Sequence, residues 1–598
     1  MTKIFAFLSA AFLLAACEAR AEEPYFVNVA SAAGLAGVPA QNPAWADLNG
    51  DGYPDAVLGS TFGEPKTYVF INTPAGGARA FADFTAASGV NAAPAPSTAA
   101  RAGSALIFGD VDNDGDLDLF SGRYSEFEKP RTDPKTGAVI KDAAGKAIYE
   151  KQDDGLRSAV LLNDGTGRFS HVTAAGVESP AETTTSAAFL DYDNDGLLDL
   201  FAGNWYKEYG VSNVCYPSRL YKGLGGGKFS EVTLAAGLMT QFTEAKPDSS
   251  RPVYGVSHCD WNNDGFQDIL VSVYGRQANR LWKNNGDGTF TDEARRTGFD
   301  GDAIRHGRYP AGAKRETEGE WRSNGNTFSA ACADYDNDGD MDVFLGEITH
   351  AWAGESSDRS SLLENLGPKK GFRFRRHADL LHRVHQDTKS WNQGDMRVTW
   401  ADLDNDGLQD LLVASGDYPD GQYLRLFRQV RPLVFEDITG KAGFDWESSG
   451  GISVADYDGD GDLDILAGKS WMRMPAARRQ GAWPAPALFR NDMKNGNHWL
   501  QVRLEGRGAG GANRGGAGVR VTVEAAGVKQ SREISTSHGH AGLSDAQVLH
   551  FGLGRAERTG RIEVYWPGGK AVYEAVPADR FVKITEGSPE LQLSAAPI

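Results

Sequence analysis

The stretch Asp110-Val111-Asp112-Asn113-Asp114-Gly115-Asp116-Leu117-Asp118 (DVDNDGDLD) decides the reading of this chain, because it recurs. Its pattern, acids at positions 1, 3, 5 and 9 with Gly at position 6, or a close variant with Asn at position 3, returns from Asp47 (DLNGDGYPD), Asp191 (DYDNDGLLD), Asp260 (DWNNDGFQD), Asp334 (DYDNDGDMD), Asp402 (DLDNDGLQD) and Asp456 (DYDGDGDLD). A fixed motif at a spacing of roughly 68 residues marks one supersecondary unit used repeatedly. Ahead of each copy lies a run of small and apolar residues such as Gly103 to Gly109 (GSALIFG), and behind it a β-rich run such as Ile269 to Val273. A third segment ends at Asn72, Asn163, Asn284, Asn365 or Asn491, and a fourth opens at Phe81, Phe169, Phe229, Phe290 or Phe435. Short runs bounded by Gly and Asn are strands. Each unit therefore reads as strand A, acidic loop, strand B, strand C, strand D.

The ends of the chain settle how the units join. After the seventh acidic loop come a strand B (Ile465 to Ala467) and a strand C at Leu488-Phe489, but no Phe-led strand D. Phe26 to Leu35 (FVNVASAAGL) matches Phe435 to Phe444 (FEDITGKAGF) and stands before the first loop. The N-terminal strand thus supplies the missing piece, as a ring without exposed sheet edges requires. The prediction is an all-β chain: a seven-bladed β-propeller closed by its N-terminal strand, followed by a small β-sandwich over residues 495–587 with its own Gly-turned β runs.

The loops carry the chemistry of a hard cation. Ca²⁺ takes six to eight oxygens from carboxylates, carbonyls and water. The predicted ligand sets are Asp47, Asn49, Asp51 and Asp55; Asp110, Asp112, Asp114 and Asp118; Asp191, Asp193, Asp195 and Asp199; Asp260, Asn262, Asp264 and Asp268; Asp334, Asp336, Asp338 and Asp342; Asp402, Asp404, Asp406 and Asp410; and Asp456, Asp458, Asp460 and Asp464. Up to seven Ca²⁺ are expected, with the first and fourth sites weakened by Asn at position 3. An EF-hand is excluded, because position 12 is Leu58, Ser121, Ala202, Val271, Leu345, Val413 or Ala467 and never an acid. The net charge of −19 is mostly this chemistry, since seven dications would bring it to about −5. The same acidity excludes a sequence-independent grip on nucleic acid.

Lys3, an apolar run from Ile4 to Leu14 and small residues up to Ala21 form an export signal. Leu14-Ala15-Ala16-Cys17 resembles a lipobox, with Cys17 lipidated, whereas Ala19-Arg20-Ala21 fits ordinary cleavage before Glu22. Either reading places the mature chain outside the cytoplasm, as a periplasmic or outer-membrane lipoprotein or a secreted protein. No later apolar run is long enough to span a bilayer. Cys259 stands one residue before its acidic loop and Cys332 two before the next, offsets that point to opposite faces of a strand, so no disulfide is expected.

The loops and their flanking strands resemble the FG-GAP/VCBS repeats of integrin α-chain propellers and of the cartilage acidic protein family. NHWLQVRL from Asn497, NRGGAGVRVTV from Asn513, HFGLG from His550 and EVYWPG from Glu563 resemble the ASPIC/UnbV domain that follows such repeats. The resemblance implies a calcium-bearing propeller over 25–492, the second domain over 495–587 and a tail over 588–598, after an export signal over 1–21. His538 and His540 depart from the family pattern and are expected in a solvated loop.

Insertions lie only in B-to-C and D-to-A connections, such as Ser125 to Arg157, Asp300 to Thr327, Ile348 to Ser360 and Lys469 to Pro486, which emerge opposite the acidic loops. Long loops on one face of a rigid scaffold suit binding. Trp321, Trp352, Trp391, Trp471 and Trp483, with Arg308, Arg359 and Arg473, are the candidate ligand face for a protein or glycan. The functional reading is a calcium-stabilised binding, adhesion or scaffolding module. The alternative is an extracytoplasmic enzyme acting on polysaccharide, with His306, His350, His382, His385, Arg308 and Arg359 at the channel mouth. No nucleophile elbow, phosphate loop or zinc helix is present, and His258 is read as a core residue.

Overall fold

The computed structural model describes residues 24–598 apart from 61–65, 93–104, 125–127, 134, 143–144, 146, 152–156, 179–181, 208, 210–212, 240–249, 382–393, 417–422, 472–473, 475–478 and 480–484. The export signal, Trp391, Trp483, Arg473, His382 and His385 lie outside the described residues. The β-branched and aromatic runs form strands, and among the described residues helix is limited to short turns such as Thr85–Ser88. The first repeat forms an antiparallel sheet of Asn42–Ala46, Asp55–Ser60, Lys66–Ala75 and Ala78–Asp83, in chain order. Five further four-strand repeats follow, with A strands Ala105–Gly109, Thr184–Leu190, Val253–Cys259, Thr327–Ala333 and Asp395–Ala401. The next sheet has Ser449–Ala455, Asp464–Lys469 and Ala487–Asn491, and its fourth strand is Phe26–Asn28, with Phe26 opposite Asn491 and Asn28 opposite Phe489. The arrangement is propeller-like.

Adjoining sheets share buried apolar clusters. Ala44, Val57 and Leu106 join the first to the second, for example, and Trp45 and Phe70 pack with Ala455 and Leu466 of the seventh. The recurring strand-C Asn ties neighbouring sheets. Its backbone N–H donates to the position-9 Asp, as Asn163 does to Asp118 Oδ1 at 2.9 Å. Its side-chain amide donates to the position-2 carbonyl of the sheet before: Asn163 to Leu48 at 2.8 Å, Asn365 to Trp261 at 2.8 Å and Asn491 to Leu403 at 2.8 Å. Asn72 of the first sheet reaches Tyr457 of the seventh at 2.8 Å. Each bond satisfies a buried carbonyl that would otherwise cost about 1–3 kcal/mol.

Cys259 and Cys332 are disulfide-bonded, with Cα atoms 6.5 Å apart, which corrects the expectation of free thiols. They belong to the A strands of two neighbouring sheets that stack face to face. The outward face of one strand meets the inward face of the next, so opposite offsets are what a bridge between sheets needs. Cys215 is buried and free.

Residues 498–594 form two four-stranded sheets, ordered Leu549–Gly554, His498–Glu505, Arg580–Thr585, Gln592–Ser594 and Val528–Glu533, Arg520–Ala525, Arg561–Trp566, Gly569–Glu574. Leu500, Val502, Val521, Phe551, Ile562 and Val564 form their shared core. One excursion, around residues 535–548, leaves this domain and inserts among the A strands. His538–His540 adds a fifth strand to the fourth sheet, with His540 opposite Gly255. Ser544 O accepts from Trp45 N–H at 3.2 Å, Gly539 O from Ser186 Oγ at 2.5 Å, and Asp545 Oδ2 from Thr399 Oγ1 at 3.0 Å. The expected solvated loop is therefore a plug, and His538 pairs with Asp545 at 2.8 Å inside it. Glycine makes this close approach possible: a Cβ at Gly542 (φ +61°) would lie 1.8 Å from Ile107 Cδ1.

Candidate functional site

The acidic loops owe their shape to two left-handed positions. Gly at position 6 has positive φ, and position 4 needs it too, where Gly50, Asn113, Asn194, Asn263, Asn337, Asn405 and Gly459 lie between 56° and 77°. Only Gly and Asn adopt that region readily. Asn at position 4 also links the loops: Asn113 Nδ2 donates to Gly196 O at 2.9 Å and Asn337 Nδ2 to Gly407 O at 3.1 Å. Sequence reasoning passed over this residue, whose signal was its restriction to Asn or Gly in every copy.

Position 1 folds the loop around itself. Asp110 Oδ1 accepts from Asp114 N–H at 3.1 Å and Oδ2 from Gly115 N–H at 2.9 Å, and Asp191, Asp260, Asp402 and Asp456 repeat the pattern. Position 9 is buried and in most loops accepts from the backbone on both oxygens, as Asp118 does from Val111 and Asn163 at 2.9 Å each; Asp342 accepts on Oδ1 alone and leaves Oδ2 buried without a partner. Each carboxylate oxygen retains a further lone pair. In five loops three acids bring oxygens within 4.8 Å of one another: Asp110, Asp112 and Asp118; Asp191, Asp193 and Asp199; Asp334, Asp336 and Asp342; Asp402, Asp404 and Asp406; Asp456, Asp458 and Asp460. Among the described residues, the first and fourth loops, with Asn49 and Asn262 at position 3, form no such group.

The same five loops share one orphan. Asp112, Asp193, Asp336, Asp404 and Asp458 each have Oδ1 buried without a hydrogen-bond partner. An unpaired buried oxygen at one position of five independent loops, within an all-oxygen donor set, fits a hard cation. Burial first, then neighbouring carboxylates, pushes Asp110 and Asp191 up to about 7 and Asp402 and Asp456 to about 8. Charge is partly answered from within. Lys222 reaches Asp193 and Asp195, Lys283 reaches Asp264 at 2.9 Å, and Arg428 reaches Asp404 at 2.6 Å.

The C-terminal domain covers this face. Arg503 Nη1 donates to Asp47 at 2.9 Å, Gln501 Nε2 to Asp456 at 2.7 Å, Gly552 N–H to Asp402 at 3.1 Å and Ser531 N–H to Asp334 at 3.2 Å. The donors come from its strands and touch position-1 carboxylates of four loops. Their role was not legible beforehand, because nothing local to Gln501 or Gly552 names a partner tens to hundreds of residues away.

The opposite face holds a cavity of about 420 Å³ lined by Tyr206, Tyr209, Tyr274, Arg276, Arg315, Arg322, His350 and Trp352, among others. Trp352 is 41% exposed, with Arg315 stacked 4.3 Å from its ring centroid and His350 at 5.3 Å. Glu318 binds Arg276, and Arg322 at 3.0 Å, leaving the lining cationic in a strongly acidic protein. Of the predicted face, Trp352 lines the cavity. Trp321 is half-buried against Arg322, Trp471 is half-buried, Arg308 is exposed and Arg359 pairs with Asp379 at 2.8 Å; none of these four lines it. His306 approaches Glu355 at 3.8 Å. His258 is buried, with Nδ1 2.7 Å from Gln267 Oε1, in keeping with a core role.

Repeat loops on propeller-like sheets, with a second β domain on their face, define a class. The FG-GAP-like repeat family matches residues 47–121, 152–202, 260–345 and 402–467, and the ASPIC and UnbV family matches 509–591. Cartilage acidic protein 1 of Xenopus tropicalis is 30% identical over 511 residues, covering 78% of this chain and 70% of that protein. The Mus musculus protein of the same name is 30% identical over 416 residues, covering 67% of this chain and 54% of its own length. The chain belongs to the cartilage acidic protein family, and it spans about half the length of the mouse relative. A crystal structure of BBS1N in complex with ARL6DN matches with a TM-score of 0.37 and 9% identity, covering 76% of this chain and 94% of that one, too low to bear on function.

Proposed function

We propose that the chain is a seven-bladed β-propeller closed by Phe26–Asn28, stabilised by Ca²⁺ in its acidic loops, and acting outside the cytoplasm as a binding or scaffolding module for a protein or glycan. The bond from Asn72 to Tyr457 and the shared core of the first and seventh sheets support the ring. The five orphan Oδ1 atoms support the ions, with Asp at positions 1, 3, 5 and 9 as ligands and the first and fourth loops weaker. Bound Ca²⁺ supplies positive charge to carboxylates that burial otherwise drives towards protonation. The chain's own part is to hold those carboxylates in place through the backbone N–H groups of each loop. Among the described residues no helix is long and apolar enough to cross a membrane. Export through the N-terminal signal, with or without a lipid at Cys17, belongs to the same reading.

The observation that carries the binding site is the cavity opposite the loops, where exposed aromatic faces stand beside Arg276, Arg315 and Arg322. Aromatic rings suit sugar stacking or protein anchors, and guanidinium groups grip carboxylates or sulfates. The test is a Trp352→Ala/Arg315→Ala variant against glycan and protein arrays on which the wild type binds. Binding should fall at least tenfold with the melting temperature unchanged. Retained binding that is instead lost on altering surface residues of 495–587 would move recognition to the C-terminal domain.

A further inference from the structure

The cavity opposite the acidic loops has two unlike walls, and the first is phenolic. Tyr209, in the connection after strand B of the third sheet, is 50% exposed, and its hydroxyl oxygen lies 3.2 Å from that of Tyr274. Trp205 packs against both rings, with centroids 5.7 and 5.3 Å away, and so holds the two hydroxyls together. Tyr206 adds a third hydroxyl. It lies so near the backbone after Tyr274 that a Cβ at Gly275 (φ +75°) would come within 2.4 Å of its oxygen.

The second wall is cationic. Arg276 is buried and has a φ of +57°, a region that a bulky side chain seldom takes. Its surroundings hold it there. Asn326 Oδ1 accepts from the Gly275 and Arg276 N–H groups at 3.0 and 3.2 Å, and Arg276 Nη1 donates to Ser356 O and Oγ at 3.2 and 3.1 Å. Arg276 and Arg322 share one carboxylate, Glu318, which leaves one positive charge unanswered. Arg315 supplies another. It is exposed, lies over the Trp352 ring and pairs with no acid among the described residues. A guanidinium stacked on a ring keeps its N–H edge available to a ligand. Two surplus positive charges in a chain of net charge −19 mark a place that attracts an anion.

A hydroxyl both donates and accepts, so the phenolic wall matches the hydroxyls of a sugar. Guanidinium groups grip carboxylates and sulfates through paired N–H bonds. The volume points the same way. About 420 Å³ is the size of a small-ligand pocket, whereas a stable protein partner covers about 800 Å² of each surface. Resting on this cavity as the binding site, we propose that its ligand is an acidic saccharide, a sugar ring bearing a carboxylate or a sulfate. Arg315 and Arg322 take the oxyanion, and Tyr209 and Tyr274 take the ring hydroxyls.

The test is titration calorimetry of the full-length protein with an oligogalacturonide, a carrageenan oligosaccharide, the methyl-esterified and desulfated counterparts of these two, and poly-glutamate. The uronate and sulfate arms distinguish the two oxyanions. At least one acidic saccharide should bind, its neutral counterpart at least about tenfold more weakly, and added salt should weaken the binding. Arg315→Glu should lower that affinity about tenfold or more, and Tyr209→Phe about threefold, both at unchanged melting temperature. The proposal is overturned if neither acidic saccharide binds, if the neutral counterpart binds equally well, or if poly-glutamate binds more tightly than both. Where Arg315→Glu still disturbs the neutral sugar or poly-glutamate, the cavity stands as the binding site and the acidic saccharide alone is refuted. An acidic saccharide that binds Arg315→Glu as well as wild type refutes the cavity too.

Discussion

A carboxylate at the ninth position of an acidic loop does three jobs at the residue scale. Asp118 accepts from Val111 at the loop's start, accepts from Asn163 on strand C and stands beside the oxygens of Asp110 and Asp112. Burial first, then the charges of Asp112 and Asp110, pushes Asp118 up to about 8, despite backbone bonds that pull the other way. The pH dependence follows. A carboxyl with a raised folded pKa contributes stability that is fully present below its unfolded value, near 3.9, and is lost as pH rises through the folded value. The chelated protein should therefore lose stability between pH 5 and 8, where Asp110, Asp118, Asp402 and Asp456 ionise in the fold. Calcium holds the same groups charged, so the rise in Tm on adding Ca²⁺ should widen steadily from pH 5 to 8. Calorimetry with excess chelator or 5–10 mM Ca²⁺, well above a Kd of about 10⁻⁴ to 10⁻³ M, checks this. A gap that is constant over that range counts against calcium in these loops.

Two elements join parts of the chain that local sequence keeps far apart. Phe26–Asn28 pairs with the strand at Ala487–Asn491, and Phe26 packs on Phe444, with ring centroids 5.2 Å apart. Deleting residues 25–30 leaves that strand with an unpaired edge and removes a buried Phe. Loss of cooperative unfolding and aggregation on gel filtration are expected; a monomeric, cooperatively melting deletion would refute closure by this strand. The plug is the second element. Gly542→Ala places a methyl in a left-handed conformation against Ile107, an overpacking that typically costs about 1–3 kcal/mol. The variant should melt several degrees lower. Adding Ile107→Ala should recover part of the loss, which a purely conformational effect at Gly542 would not allow.

At the scale of the whole molecule the C-terminal domain is packed into the repeat sheets rather than appended to them. Sequence patterns make it a separable sandwich whose removal leaves a folded propeller. In the structure Trp499 fills the space over Gly461, where a Cβ would lie 1.9 Å from the indole, and residues 538–545 contact the A strands. A fragment ending at residue 494 would uncover those A strands and remove the donors that residues 495–598 supply to Asp47, Asp334, Asp402 and Asp456. It is expected to bind an apolar dye and associate on gel filtration, and a dye-silent monomer would show the domain to be dispensable. The repeats themselves were open to reading from sequence, because a loop of nine residues and its flanking strands are specified by nearest neighbours: Gly and Asn where φ must be positive, acids at alternate positions, β-branched runs on either side. The Cys259–Cys332 bond, the plug at His538–His540, and the meeting of Trp352 with Tyr209, Arg276 and Arg315 were not. Each depends on which face of one sheet lies against the next, or on where a distant domain docks. Local periodicity fixes which residues share a face of a strand, whereas the partner of that face is chosen only when the whole chain packs.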